Sequence, residues 1–179
     1  GMDVTVNYAA NGGKAAQVAR EIGGQAFMAD VSDQRAVNEM FQCVGDVDVL
    51  VCNAGIAMQK LFTDTTAEDW RKVFSVNVDG VYNTCYCAVP HMIRNHWGRI
   101  IIISSIWGRM GASCEVAYSA SKAALIGFTQ ALSRELGPSG ITVNCVAPGV
   151  IDTDMNKRLS DDVLNELKES TPLMRKGTP

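Results

Sequence analysis

The sequence predicts one α/β domain built on a parallel sheet, doubly wound so that helices cover both faces. Three observations predict it. Short β-rich runs alternate with longer helical patterns along the chain, the order that parallel strands with crossover helices require. One run holds four successive isoleucines, Ile100 to Ile103. A strand covered on both sides is apolar throughout, whereas a half-exposed strand alternates. Four apolar runs also end in small or polar residues: Asp30-Val31, Asn53-Ala54-Gly55, Ser104-Ser105 and Pro148-Gly149. Ligands of open parallel sheets bind beyond the carboxyl ends of the strands, so these endings mark one rim.

The elements follow in order. Val4-Thr5-Val6-Asn7-Tyr8 reads as a strand, and Gly12-Gly13 open a helix to about Ile22. Gln25 to Asp30 is a second strand, after which Ser32 or Asp33 caps a helix to about Val44. Asp48 to Asn53 is a third strand. Thr66, with Asp69 three places on, begins a long helical stretch to about Asn95. Arg99 to Ser104 is the fourth strand, and a helix from about Glu115 to Leu136 stops at Gly137-Pro138. Ile141 to Ala147 is the fifth strand, and Asp161 to Lys168 suggest one more short helix. No repeat or linker divides the 179 residues, so 1–179 reads as a single domain.

Composition excludes several functions. The chain is 47% apolar and 20% charged, an ordinary soluble balance. Its net charge of -3, with no long run of one sign, argues against a nucleic-acid partner. No apolar stretch approaches a membrane span, and no charged-then-apolar leader opens the chain. The six cysteines are Cys43, Cys52, Cys85, Cys87, Cys114 and Cys145. Cys85-x-Cys87 has the wrong spacing for a metal site, and those side chains diverge on a helix. Free thiols, no metal and a cytoplasmic location are the expectation. His91 and His96 read as surface histidines.

The most informative segment is Tyr118-Ser119-Ala120-Ser121-Lys122. Tyr118 and Lys122 are four apart on a predicted helix and share a face. A free phenol, with pKa about 10, is a poor base near neutrality, and a neighbouring ammonium lowers that value. The pair is then a tunable acid/base, although a surface tyrosine and lysine share the same spacing often. The flanking face is small, with Ala120, Ala124, Gly127 and Ala131. Gly127 costs a helix about 1 kcal/mol against alanine, so a close neighbour is expected there. Ser105, at a strand end, could hydrogen-bond a carbonyl oxygen held beside Tyr118.

These residues resemble the short-chain dehydrogenase/reductase family along essentially the whole chain. Tyr118-x-x-x-Lys122 resembles its Tyr-x-x-x-Lys, and Ser105, thirteen places earlier, stands where its catalytic serine stands. Asn53-Ala54-Gly55, Asn77 in Ser75-Val76-Asn77-Val78-Asp79-Gly80, Pro148-Gly149-Val150-Ile151-Asp152-Thr153 and Asp30-Val31 match four further family motifs. The resemblance implies a Rossmann-like fold, a nicotinamide cofactor and a Ser-Tyr-Lys-Asn mechanism. Tyr118 then passes the proton, Ser105 orients the substrate oxygen, Lys122 tunes the tyrosine and holds the ribose, and Asn77, its side chain placed by a break in the long helix, holds a relay water. Tyr8, Asp30, Val31, Asn53, Ala54, Gly55, Tyr118, Lys122, Pro148, Gly149, Ile151 and Thr153 are the implied cofactor contacts. Ile106, Trp107, Met110 and Met155 fall in loops that line the family's substrate pocket, and Met58 follows Gly55.

One departure is large. The glycine-rich turn of the family's first βα unit is absent, because Gly12-Gly13 follow what looks like its second strand. The family's final strand is also missing. The fold is therefore expected to be incomplete, lacking a central strand, and the chain alone to bind cofactor poorly and turn over little. No acid stands in Asn7-Tyr8-Ala9, and Asn11 and Lys14 lie nearby. An acid there would repel a 2′-phosphate, so NADP(H) is expected over NAD(H).

Arg99-Ile100, Gly140 to Asn144 and Thr153-Asp154-Met155 carry a likeness to bacterial members that reduce 3-oxoacyl thioesters. Members acting on sugars, polyols or steroid alcohols share much of the pattern. A non-catalytic assembly role is the alternative of another class. The resemblance also implies a homodimer or homotetramer of the full-length protein, formed through the helices around 66–95 and 115–136.

Overall fold

The computed structural model describes residues 1–153 and 161–178. Its strands are β1 (Thr5–Tyr8), β2 (Gln25–Met28), β3 (Val49–Cys52), β4 (Gly98–Ile103) and β5 (Ile141–Val146). Helices α1 (Gly12–Ile22) and α2 (Gln34–Val44) follow β1 and β2. After β3 come α3 (Ala67–Phe74) and α4 (Gly80–Arg94), and after β4 come α5 (Trp107–Met110) and α6 (Val116–Leu136). Helix α7 (Asp161–Glu169) follows β5. All strand pairings are parallel: β1 with β2, and β3-β4-β5 in that order. Among the described residues the two sheets share no strand pairing, and Val51 of β3 is 55% exposed.

Local chemistry sets the helix starts. Asp33, not Ser32, caps α2, accepting from the Arg35 N–H at 2.8 Å. Ser32 is instead captured by Asp30, to which it donates both its backbone N–H at 2.9 Å and its hydroxyl at 2.7 Å. Thr66 and Asp69 form the reciprocal capping box that their spacing predicts, each bond 3.1 Å. Gly137 to Ser139 form a short 3-10 turn, and Gly140 leaves it with φ +75°. A Cβ there would lie 2.5 Å from the His96 carbonyl oxygen.

The expected long helix from Thr66 is broken. Between α3 and α4, Ser75–Asp79 form a π-helical turn, closed by the Gly80 N–H donating to Ser75 O. Such a turn holds one residue more than the α-helical register. The break expected at Asn77 from the family resemblance falls at this turn, and the bonds of the Asn77 side chain are described below.

The main core joins Ile100 and Ile102 of β4 to Val81, Cys85, Ala88 and Met92 of α4 and Leu125 and Leu136 of α6. Each such aliphatic side chain contributes about 1.5–3 kcal/mol by leaving water. Ile101 and Ile103 are only half-buried, so β4 is sealed on one face and partly open on the other, a correction to the expectation from four consecutive isoleucines. His91 is also less exposed than a surface histidine. Its side chain is 14% exposed and bonds Asp48 at 2.9 Å and Asp46 at 3.2 Å. All six cysteines are free. No helix among the described residues is long and apolar enough to cross a membrane.

Candidate active site

Four side chains implied by the sequence converge on the rim, and all four are buried: Asn77, Ser105, Tyr118 and Lys122. Each comes from a different local device. Ser105 sits just beyond β4, where its hydroxyl accepts from the Trp107 N–H at 3.2 Å and the next residue, Ile106, donates to Pro148 O at 2.9 Å. Those bonds tie the end of β4 to the end of β5 and to α5. Tyr118 and Lys122 stand one turn apart near the start of α6. Ser104, the first residue beyond β4, donates its hydroxyl to Lys122 O at 2.7 Å, docking that turn against the end of the strand.

Lys122 stands over the Tyr118 ring. Its Nζ donates to the Ile103 carbonyl at 2.8 Å and lies 5.8 Å from the Tyr118 ring centroid. Burial raises the Tyr118 phenol above its usual pKa; hydrogen bonding to Ser105 acts against this, and the Glu115 carboxylate adds to the rise. Burial acts oppositely on the cation, lowering Lys122 from its usual 10.5 to about 8. Folded Lys122 therefore releases its proton near pH 8 while the unfolded chain holds it to about 10.5. The unfolded state binds more protons in that window, so this group's contribution to stability improves as pH rises through it. At neutral pH the phenol is protonated, which suits a proton donor.

Glu115 is a site residue that sequence reasoning missed. It precedes α6, three residues before Tyr118, and is half-buried with its own pKa raised by desolvation. Glu115→Gln is expected to shift the Tyr118 titration to lower pH, because a charge opposing the phenolate is gone. Tyrosinate absorbance measured against a Tyr118→Phe control reads it; an unmoved titration refutes the coupling.

Next to these groups lies a cavity of about 350 Å³, lined by Asn7, Tyr8, Ala9, Asn11, Ala29, Asp30, Val31, Ala54, Gly55, Ile56, Lys72 and Val76. It gathers the ends of β1, β2 and β3. Its size lies in the range of small-molecule sites, and Asn7, Tyr8, Asn11, Asp30 and Lys72 supply polar groups. Asp30 is held below the usual carboxylate range by the Ser32 hydroxyl and N–H, with Lys72 helping. A Cβ at Gly55 would lie 3.3 Å from both Asn77 Oδ1 and Lys122 Nζ, a tight contact to which those side-chain ends would have to yield. Asn83, also missed, is buried and donates to Val31 O at 2.9 Å, fixing that part of the wall.

The remaining predicted contacts are less closely gathered. Asn53 and Ala54 are exposed, Pro148 is half-buried, and Gly149 and Thr153 are exposed. Ile151 bridges to Gly177. Ile106 and Trp107 are half-buried beside Ser105, whereas Met110 is 74% exposed and forms no wall. Met155 lies outside the described residues. No group of three or more His, Cys, Asp or Glu among the described residues is placed to hold a metal ion.

Comparison with known proteins bears on the fold and the family. The model of the family described as short chain dehydrogenase matches residues 1–164. The 3-oxoacyl-[acyl-carrier-protein] reductase of Aquifex aeolicus is 42% identical over 153 residues, covering 86% of this chain but 62% of that protein. The Staphylococcus epidermidis reductase of the same name is 41% identical over 186 residues, covering 99% of this chain and 76% of its own length. Among solved structures, a 3-oxoacyl-[acyl-carrier protein] reductase from Brucella melitensis superimposes with TM-score 0.90 at 32% identity, covering 99% and 70% of the two chains. A gluconate 5-dehydrogenase from Burkholderia cenocepacia, in complex with NADP and tartrate, superimposes with TM-score 0.89 at 30% identity, covering 99% and 74%.

Proposed function

The chain belongs to the short-chain dehydrogenase family, and on that premise we propose that it carries the catalytic groups of an NADPH-dependent reductase of 3-oxoacyl thioesters. The reaction turns the 3-carbonyl into a secondary alcohol. The observation that carries the reading is the protonated, buried phenol of Tyr118 beside the Ser105 hydroxyl at the strand-end rim. Tyr118 donates its proton to the substrate oxygen. Ser105 orients that oxygen and stabilises charge as it develops. Lys122, cationic at neutral pH, holds the cofactor ribose with Tyr118.

Tyr8, Asp30, Val31 and the Asn53-Ala54-Gly55 backbone would hold the adenosine half of the cofactor, and Pro148, Gly149, Ile151 and Thr153 would flank its nicotinamide. Bound there, the cofactor supplies the hydride, and the protein supplies placement and electrostatics. The NADP preference rests on the end of β1. Asn7 is uncharged, its amide donating to Ala29 O at 2.9 Å, and Lys72 adds a cation to the same cavity. A homodimer or homotetramer completes the reading. Tyr82 and Tyr86 lie exposed together on α4, and on α6 Ala131 is exposed and Ala124 half-buried.

The likeness to a gluconate 5-dehydrogenase favours a second reading, oxidation of a sugar or polyol alcohol by the same groups. A panel separates them: acetoacetyl-CoA, an acyl-carrier thioester, gluconate and polyols, each with both nicotinamide cofactors and the full gene product. Thioester reduction is expected, with NADPH favoured over NADH by about tenfold or more, roughly 1.4 kcal/mol. Polyol turnover without thioester turnover refutes the first reading.

A further inference from the structure

Asn77 and Ser121 are the polar residues nearest the site with no exposed surface at all, each 0% accessible. Both N–H groups of the Asn77 carboxamide are committed, and its oxygen accepts one bond. Its Oδ1 accepts from the Ile56 N–H at 2.8 Å, and its Nδ2 donates to Ile56 O at 3.0 Å and to Ser121 Oγ at 2.9 Å. Ser121 in turn donates to the Tyr118 carbonyl at 2.7 Å. A serine inside a helix often bonds back to its own preceding turn. Here that habit leaves the oxygen lone pairs aimed outward, where they receive Asn77. A hydroxyl can give and take at once; an alanine can do neither.

We propose that Ser121 is a positioning residue, whose hydroxyl joins the π-turn of Asn77 and the Ile56 loop to the turn of α6 bearing Tyr118 and Lys122. It is the side-chain bond between Asn77 and α6. Without it a buried amide hydrogen has no acceptor, the π-turn loses its register against α6, and the carboxamide's grip on Ile56 loosens. The proposal rests on the reading of Tyr118 and Lys122 as catalytic groups, but its structural half does not.

The test is a double-mutant cycle in the full gene product, with Ser121→Ala, Asn77→Ala and the pair. Ser121→Ala is expected to lower kcat for thioester reduction by about tenfold or more with a smaller change in KM, since small misplacements act on the chemical step. Because Ser121 acts through Asn77, the double variant is expected to be no worse than the poorer single. Ser121→Cys, similar in size and weaker as an acceptor, is expected to fall between and serves if the alanine variant melts below the assay temperature.

Hydrogen exchange at the Ile56 amide gives a readout free of activity, and Ser121→Ala is expected to speed it by about tenfold. Fully additive losses of kcat, or wild-type kcat and Ile56 exchange in Ser121→Ala, overturn the proposal. A wild-type protein with no turnover on any substrate refutes the function, while Ile56 exchange still decides the positioning link.

Discussion

Tyr118→Phe is expected to cut turnover by about 10²–10⁴-fold, the usual share of a positioned proton donor, equivalent to about 3–5 kcal/mol of barrier. The loss falls on chemistry and not on folding. The substitution removes one oxygen from a buried ring whose packing stays in place. Ser105 loses its phenolic neighbour but keeps the Trp107 N–H bond at 3.2 Å. Cofactor titration and thermal melting are therefore expected near wild type while kcat collapses. A phenylalanine variant within about tenfold of wild type shows that the proton comes from another group, and the assignment of Tyr118 falls with it.

The second large effect comes from a residue with no functional group. Gly108 lies on α5 where that helix crosses α6. A Cβ there would sit 2.7 Å from Lys122 C and 2.9 Å from both Ala123 N and Lys122 O. These are backbone atoms, so no side chain can swing aside. Gly108→Ala must lift α5 away from α6, an overpacking that costs about 1–3 kcal/mol. Ser105 is carried along, because the Gly108 N–H donates to Ser105 O at 3.0 Å. A displacement of about 1 Å at a reacting group can cost about 10²-fold in rate.

The alanine variant is thus expected to melt lower and to lose more activity than its melting temperature explains. Gly127→Ala is the matched control. Nothing described lies within 4 Å of its added Cβ, and helix propensity favours alanine by about 1 kcal/mol. That variant is expected to be at least as stable as wild type. Equal behaviour of the two glycines in melting and turnover refutes the packing argument.

Element order was readable from the sequence because hydrophobic period and turn chemistry are local. The Thr66-Asp69 box and the strand-end motifs of the rim need only neighbouring residues to be recognised. What failed to show depends on distant partners. Ser32 and Asp33 are equally good caps, and the choice is made by Asp30 taking Ser32. Ser121 and Asn83 look like ordinary helix polar residues until Asn77 and Val31 O are seen beside them. The burial that raises the Tyr118 phenol stays out of local view for the same reason. Helix spacing brings Lys122 near, but the Ile103 carbonyl claims its ammonium and burial decides the rest. Gly127 suggested a close neighbour, and none is present among the described residues.

The extra residue between Ser75 and Asp79 bears on what kinds of genetic change the chain can absorb. Each α-helical residue turns the axis by about 100°, so the π-turn sets the inward stripe of α4 at an angle to that of α3. Deleting one codon there would restore unbroken α-helical winding and swing every side chain from Val81 to Met92 by about 100°. Valine, cysteine and methionine would leave β4, and the tyrosines now in solvent would be driven toward it. In-frame loss of one amino acid at this point is therefore expected to harm the protein more than most substitutions at the same positions.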